Sequence, residues 1–203
     1  MNKKAEKIIQ QVSLLYMKYG IKSVTMDDVA RELGVSKKTL YEHFDDKADL
    51  VKKVILYNIT NIETQFNKAS SKKLNALDTL MEIGNMIVRF LSDFNPSISY
   101  DLQKYYPSIW KMLIDYKKNR VFVNVKENLI KGIKEKLYRE DLNPEIIARI
   151  YVSKIEATMD FDYKGSADIN PIILYNELLK YHIRGIASKK GIEYFETEIN
   201  QNL

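Results

Sequence analysis

Apolar residues recur at steps of three and four along nearly the whole chain, and no strand-like alternation persists. The pattern predicts an all-α protein. Ile8, Val12, Leu15 and Tyr19 mark the inner stripe of a first helix over roughly residues 4–19. Gly20 ends it, and Ile21 and Val24 lead into a pair of short helices. In the first of the pair, Met26, Val29, Ala30 and Leu33 share one apolar face, while Arg31 and Glu32 point the other way. Thr25 is placed to cap that helix, and Asp28 to bond back to the cap. Asp27 and Asp28 also bring negative charge to the positive helix end. Gly34 follows Leu33 directly and takes the left-handed conformation that stops a helix. Val35 turns inward, and Ser36 caps the next helix. Leu40 and Phe44 give that helix a buried side, leaving Lys37, Lys38, Thr39, Tyr41, Glu42 and His43 for solvent or a partner.

Two short helices joined by a tight turn, the second polar and basic on its outer side, fit the major groove of DNA. Lys37, Lys38 and Thr39 lie in the first turn of the second helix, where side chains reach base edges. Thr25 and Ser36 stand at helix starts, where backbone N–H groups favour phosphate oxygens. Three helices around one small core make a minimal DNA-binding head, expected over residues 1–47.

The remainder, residues 48–203, reads as a helical body of about six helices. A fourth helix over roughly 47–68 carries Leu50, Val54, Tyr57, Ile62 and Phe66. A fifth carries Leu77, Leu80, Gly84, Ile87 and Leu91, and Asn95-Pro96 ends it. A short helix runs to about Tyr105. Pro107 opens another with Ile109, Trp110 and Leu113, and a separate helix is expected over about 119–138. Asn143-Pro144 and Asn170-Pro171 are twin start signals, a capping Asn followed by Pro at the first helical position. Ile147, Tyr151 and Ile155 mark the helix after the first pair; Tyr175, Leu179, Ile183 and Ile186 mark the helix after the second.

Composition narrows the chemistry. The 203 residues carry a net charge of +5, with a pI near 9.0, which suits a polyanionic partner without requiring one. The absence of cysteine excludes disulfides, thiol catalysis and cysteine-ligated metal. The two histidines, His43 and His182, are far apart in sequence, and no glycine-rich phosphate loop occurs. An enzyme is therefore disfavoured, and neither a cofactor nor a metal is expected. No apolar run approaches membrane-spanning length, and Ile-Ile-Gln-Gln-Val-Ser interrupts any signal-peptide core. A cytoplasmic protein is the simplest expectation.

Gly20, Thr25, Val29, Ala30, Gly34, Val35, Ser36, Leu40, Tyr41, His43, Phe44, Lys47 and Leu50 stand in one gapless register. With them, the segment from Ile8 to Leu50 resembles the N-terminal domain of TetR-family (TetR/AcrR) transcriptional regulators. The resemblance covers about the first quarter of the chain. Lys38 departs from it, since many members carry a small residue there; an extra lysine adds a donor for a base or a phosphate.

The resemblance implies that Tyr41, His43 and Lys47 contact the DNA backbone. It implies a homodimer built from the last two long helices, with Ile147, Tyr151, Ile155, Tyr175, Leu179, Ile183 and Gly185 as interface candidates. Two heads on a two-fold axis would read a palindromic operator. It also implies a pocket in the body for a small-molecule effector. The tyrosine-rich stretch around Asp101, Tyr105, Tyr106 and Trp110 suits an apolar or aromatic compound. Met86, Phe90, Tyr105 and Trp110 are the lining candidates. The expected function is a ligand-responsive repressor. An activator, or an architectural DNA-binding factor without an effector, is the alternative.

Overall fold

The computed structural model describes residues 2–71, 73–93, 95, 97–159 and 170–199. Within them lie ten α-helices: α1 (Lys3–Tyr19), α2 (Met26–Leu33), α3 (Lys37–Tyr41), α4 (Lys47–Ser71), α5 (Ala76–Asp93), α6 (Ser97–Tyr105), α7 (Pro107–Lys134), α8 (Pro144–Met159), α9 (Pro171–Ile186) and α10 (Lys189–Tyr194). A π-helical turn follows over Phe195–Ile199. An isolated antiparallel bridge pairs Tyr138 with Ala187. The all-α expectation holds. Pro96, read as a helix stop, lies outside the described residues.

The chain forms two compact units. The first comprises residues 1–65 and 93–114, so the expected head of residues 1–47 lies inside it, together with much of α4, with α6 and with the start of α7. Ile8, Ile9, Val12 and Tyr16 of α1 are buried there, with Val29 of α2, Leu40 of α3, Phe44 and Leu50, Val51 and Val54 of α4. The α1 stripe differs from the sequence reading at its end. Tyr16 is 3% exposed and Tyr19 50% exposed, because the inner face follows the four-residue step from Val12 to Tyr16 and leaves Tyr19 outside. Ser13 shares the inner face, and its hydroxyl donates to Asn58 Oδ1 at 2.8 Å.

The second unit comprises residues 66–92 and 115–203. Its core gathers Leu77 and Leu80 of α5, Leu129 of α7, Ala148 of α8, Tyr175, Leu179 and Ile183 of α9, and Phe195. Tyr138 is the largest of the fully buried side chains. Its ring lies so close over Gly132 that a Cβ there would overlap it. Its hydroxyl donates to Asn128 Oδ1 at 2.9 Å, and Asn128 Nδ2 donates to the Ala76 carbonyl at 2.9 Å. That chain of bonds joins α7 to the first turn of α5.

Two helix boundaries correct the sequence reading. The separate helices expected on either side of residue 119 are one helix of 28 residues, α7. Residues 114–119, Ile-Asp-Tyr-Lys-Lys-Asn, hold neither Gly nor Pro, so nothing interrupts the ladder. The helix also stops at Lys134, before the expected end at Tyr138. Lys136 adopts φ 60°, and the N–H groups of Leu137 and Tyr138 both turn back to the Gly132 carbonyl at 3.0 Å. The short α10 has no counterpart in the sequence reading, although Ser188 caps it through a 3.1 Å bond from the Gly191 N–H.

Candidate nucleic-acid interface

Thr25 and Asp28 close a reciprocal cap at the start of α2. The Asp28 N–H donates to Thr25 Oγ1 at 3.1 Å, while the Thr25 N–H and hydroxyl donate to Asp28 Oδ2 at 2.9 and 2.6 Å. These bonds from Thr25, with help from the Arg31 guanidinium 2.5 Å from Oδ1, hold the Asp28 carboxyl below the usual range. The cap fixes the direction in which α2 leaves the preceding turn.

Gly34 ends α2 at φ 63° and ψ 32°, a left-handed conformation that costs a residue without Cβ little. The Val35 N–H then returns to the Ala30 carbonyl at 3.0 Å. Ser36 caps α3, its Oγ accepting from the Thr39 N–H at 3.0 Å and lying 3.0 Å from the Thr39 hydroxyl. Lys37 pairs with Asp27, which braces the start of α3 against the start of α2. Leu40, fully buried, and Phe44, nearly so, secure the inner side of α3.

The outer side of α3 carries Lys38 and Tyr41, both exposed, Tyr41 by 52%. Thr39 is half-buried with its hydroxyl turned toward Ser36. His43 packs its ring edge against Phe44 at 6.3 Å between centroids. Its carbonyl accepts from Lys53 Nζ at 3.1 Å, and that ammonium also pairs with Asp49 at 2.7 Å and lies over the Phe44 ring. Lys47, half-buried at the start of α4, donates to the Lys22 carbonyl at 3.3 Å, and burial lowers its pKa. The head therefore holds Thr25, Ser36, Lys37, Lys38, Thr39, Tyr41, His43 and Lys47 in one unit. On α3, Lys38 and Tyr41 stand exposed, whereas Lys37 is engaged by Asp27.

The dimer candidates need correction. Tyr151, Tyr175, Leu179 and Ile183 are buried within the protomer, the last three inside the second unit's own core, and Ile147 packs against that core. Ile155 is half-buried and Gly185 exposed. Five of the seven candidates thus face the protomer's own interior, because α8 and α9 each carry two apolar stripes. The outward one consists of Ile146, Ile150, Ile173 and Tyr181, all exposed.

The effector candidates divide between the units. Met86 and Phe90 lie in the second, Tyr105 and Trp110 in the first. Met86 and Trp110 are half-buried, and Phe90 lies at the edge of exposure. Tyr105 stands exposed at the end of α6, with Lys22 Nζ 4.8 Å and Lys104 Nζ 5.6 Å from its ring centroid. Among the described residues, no group of three or more potential ligands could hold a metal ion, and no helix is long and apolar enough to cross a membrane.

The capped α2, its glycine turn and the basic, exposed side of α3 define a helix-turn-helix DNA-binding module. Residues 14–54 match the family described as bacterial regulatory proteins, tetR family. The HTH-type transcriptional regulator YvaF of Bacillus subtilis is 25% identical over 142 residues, covering 70% of this chain and 74% of that protein. The nucleoid occlusion factor SlmA of Vibrio campbellii is 22% identical over 176 residues, 81% and 89% of the two chains. A transcriptional regulator of known structure from Cytophaga hutchinsonii superposes with a TM-score of 0.74 at 20% identity, over 92% of this chain and 100% of that one. The match over residues 14–54, the regulator relatives and the shared all-α fold support a TetR-family transcriptional regulator.

Proposed function

We propose that the chain is a ligand-responsive homodimeric repressor that binds a palindromic operator and is released from it by a small molecule. The observation that carries this reading is the braced α2–α3 pair, which leaves Lys38 and Tyr41 exposed on a frame fixed by caps at Thr25 and Ser36. In this reading Lys38, with Lys37 once it exchanges its Asp27 partner, reaches base edges, as does Thr39. Thr25, Ser36, Tyr41, His43 and Lys47 position the head on phosphates. Ile146, Ile150, Ile173 and Tyr181, with Gly185 leaving room beside them, supply the apolar face through which two copies pair.

The effector in this reading is an apolar or aromatic compound bound by the body, and the protein works in the cytoplasm. The compound tilts α4 and alters the separation of the two heads. Its reach is limited by how much more tightly it binds the released state than the DNA-bound one. The test is fluorescence anisotropy with the DNA upstream of the protein's own gene and random DNA as competitor. Specific binding that is steep in salt and weakened by Tyr41→Ala supports the reading. A selection from a random library that enriches no sequence would overturn it.

A second reading is favoured by the likeness to the nucleoid occlusion factor, which extends over 89% of that relative and well beyond the head. There the chain is a DNA-binding factor without a small-molecule effector. Its thermal stability would then ignore a broad compound library, whereas an effector-controlled repressor responds to some member of it.

A further inference from the structure

We propose that Lys22 and Lys104, converging on the exposed ring of Tyr105, form an additional site for a DNA backbone phosphate and carry the DNA-contacting surface beyond the helix-turn-helix onto α6. The three residues belong to the first unit, although Lys22 and Lys104 are 82 positions apart in sequence. Lys22 Nζ lies 4.8 Å and Lys104 Nζ 5.6 Å from the Tyr105 ring centroid. Lys104 Nζ also donates to the Tyr100 hydroxyl at 2.7 Å. Both ammoniums are exposed, and they lie near enough to repel one another.

The neighbouring acid is already engaged by backbone. Asp101 is 5% exposed, and its Oδ2 accepts from the Lys22 backbone N–H at 2.8 Å. Each ammonium has three donors, and tyrosine hydroxyls occupy only part of that set. Among the described residues no carboxylate forms a salt bridge with either ammonium, and a phosphate oxygen fits the outward cluster of two cations and two phenols.

Position selects the source of that phosphate. Lys22 stands three residues before the Thr25 cap, and its carbonyl accepts from Lys47 Nζ at 3.3 Å. Through Lys22 the cluster therefore adjoins the Thr25 and Lys47 positions assigned to phosphate above, on whose DNA-binding reading this inference rests. Lys22, Lys104 and Tyr105 are all exposed.

The test compares the full-length wild type with Lys22→Gln, Lys104→Gln and, as a control for net charge, Lys190→Gln on the exposed side of α10. Each is titrated onto its selected operator and onto random DNA at several salt concentrations. Removing one phosphate-bound lysine lowers the slope of log affinity against log salt by about 0.9, hence by about 1.8 when both protomers of a dimer are changed. At 0.1 M salt that corresponds to roughly 60-fold weaker binding if the curves meet at 1 M. The weakening should be equal on operator and random DNA, since phosphates carry no sequence information. Wild-type slopes in both variants, or an equal fall in Lys190→Gln, overturn the phosphate site while leaving the DNA-binding reading intact. A wild type that binds no DNA overturns both.

Discussion

The Asp101 carboxylate accepts a 2.8 Å hydrogen bond from the backbone N–H of Lys22, 79 residues away. The bond ties α6 to the turn that precedes α2, and it makes a buried carboxylate and an interhelical N–H each other's partner. Asp101→Ala leaves that N–H unsatisfied and should destabilise the first unit by about 1–3 kcal/mol. Asp101→Asn keeps an acceptor and should retain most of the stability. Urea denaturation of the two variants, with equal losses, would show that the bond contributes nothing.

Lys38 is exposed on α3, so Lys38→Ala should change stability by no more than about 0.5 kcal/mol. Its effect on DNA should be selective. Discrimination at one operator position should fall by about 1–3 kcal/mol, with other positions unaffected. Affinities for a panel of single-base operator variants check this. Uniform weakening across the panel would assign Lys38 to a phosphate instead.

His182 contacts Tyr151, with ring centroids 4.4 Å apart. Burial, helped by the Lys154 charge, pushes its pKa down from 6.5 to about 4. The folded protein therefore prefers the neutral ring, and the unfolded chain binds the proton more readily. The contribution is complete above pH 6.5 and is lost as pH falls toward 4, amounting to up to about 3 kcal/mol. Melting temperatures over that range should fall less steeply for His182→Phe than for the wild type.

Gly132→Ala should destabilise the second unit by about 1–3 kcal/mol, because the added methyl meets the ring of buried Tyr138. Tyr138→Phe, which removes only the hydroxyl bond to Asn128, should cost about 1 kcal/mol. The reverse order in thermal denaturation would mean that the ring relocates freely.

Ile150 and Ile183 separate the two faces of the α8–α9 pair. Ile150→Glu should yield a folded monomer if the exposed stripe joins two copies, as read by sedimentation and circular dichroism. Ile183→Glu places a charge at a position with no exposure and should abolish folding of the second unit. An Ile150→Glu protein that sediments as the wild type does would remove this face from the proposed interface.

These contrasts show where sequence speaks clearly. The α2–α3 pair is legible because its determinants are local: a cap at Thr25, a left-handed glycine at Gly34 and a cap at Ser36 each act within four residues. Leu40 and Phe44 are equally plain, since α3 has one apolar side. On α8, Ile146 and Ile147 are neighbours, one exposed and one packed on the core. Periodicity alone does not say which of two apolar stripes a helix keeps for itself. Tyr105 misleads for a related reason, because one of the two lysines against its ring, Lys22, comes from a distant part of the chain. Lys22 and Lys104 give no signal of their own, since a lone lysine in a turn or on a polar helix face is ordinary.

Trp110, half-buried in the first unit, is the chain's one tryptophan, and the chain contains no cysteine. Its emission is a built-in reporter for one unit, unmixed with indole signal from the other. Comparing that emission with circular dichroism, which sums helices from both units, would reveal whether they melt in a single step. A thiol introduced at any surface position would be the sole attachment point for a dye, so distances to Trp110 could be followed without first removing native residues.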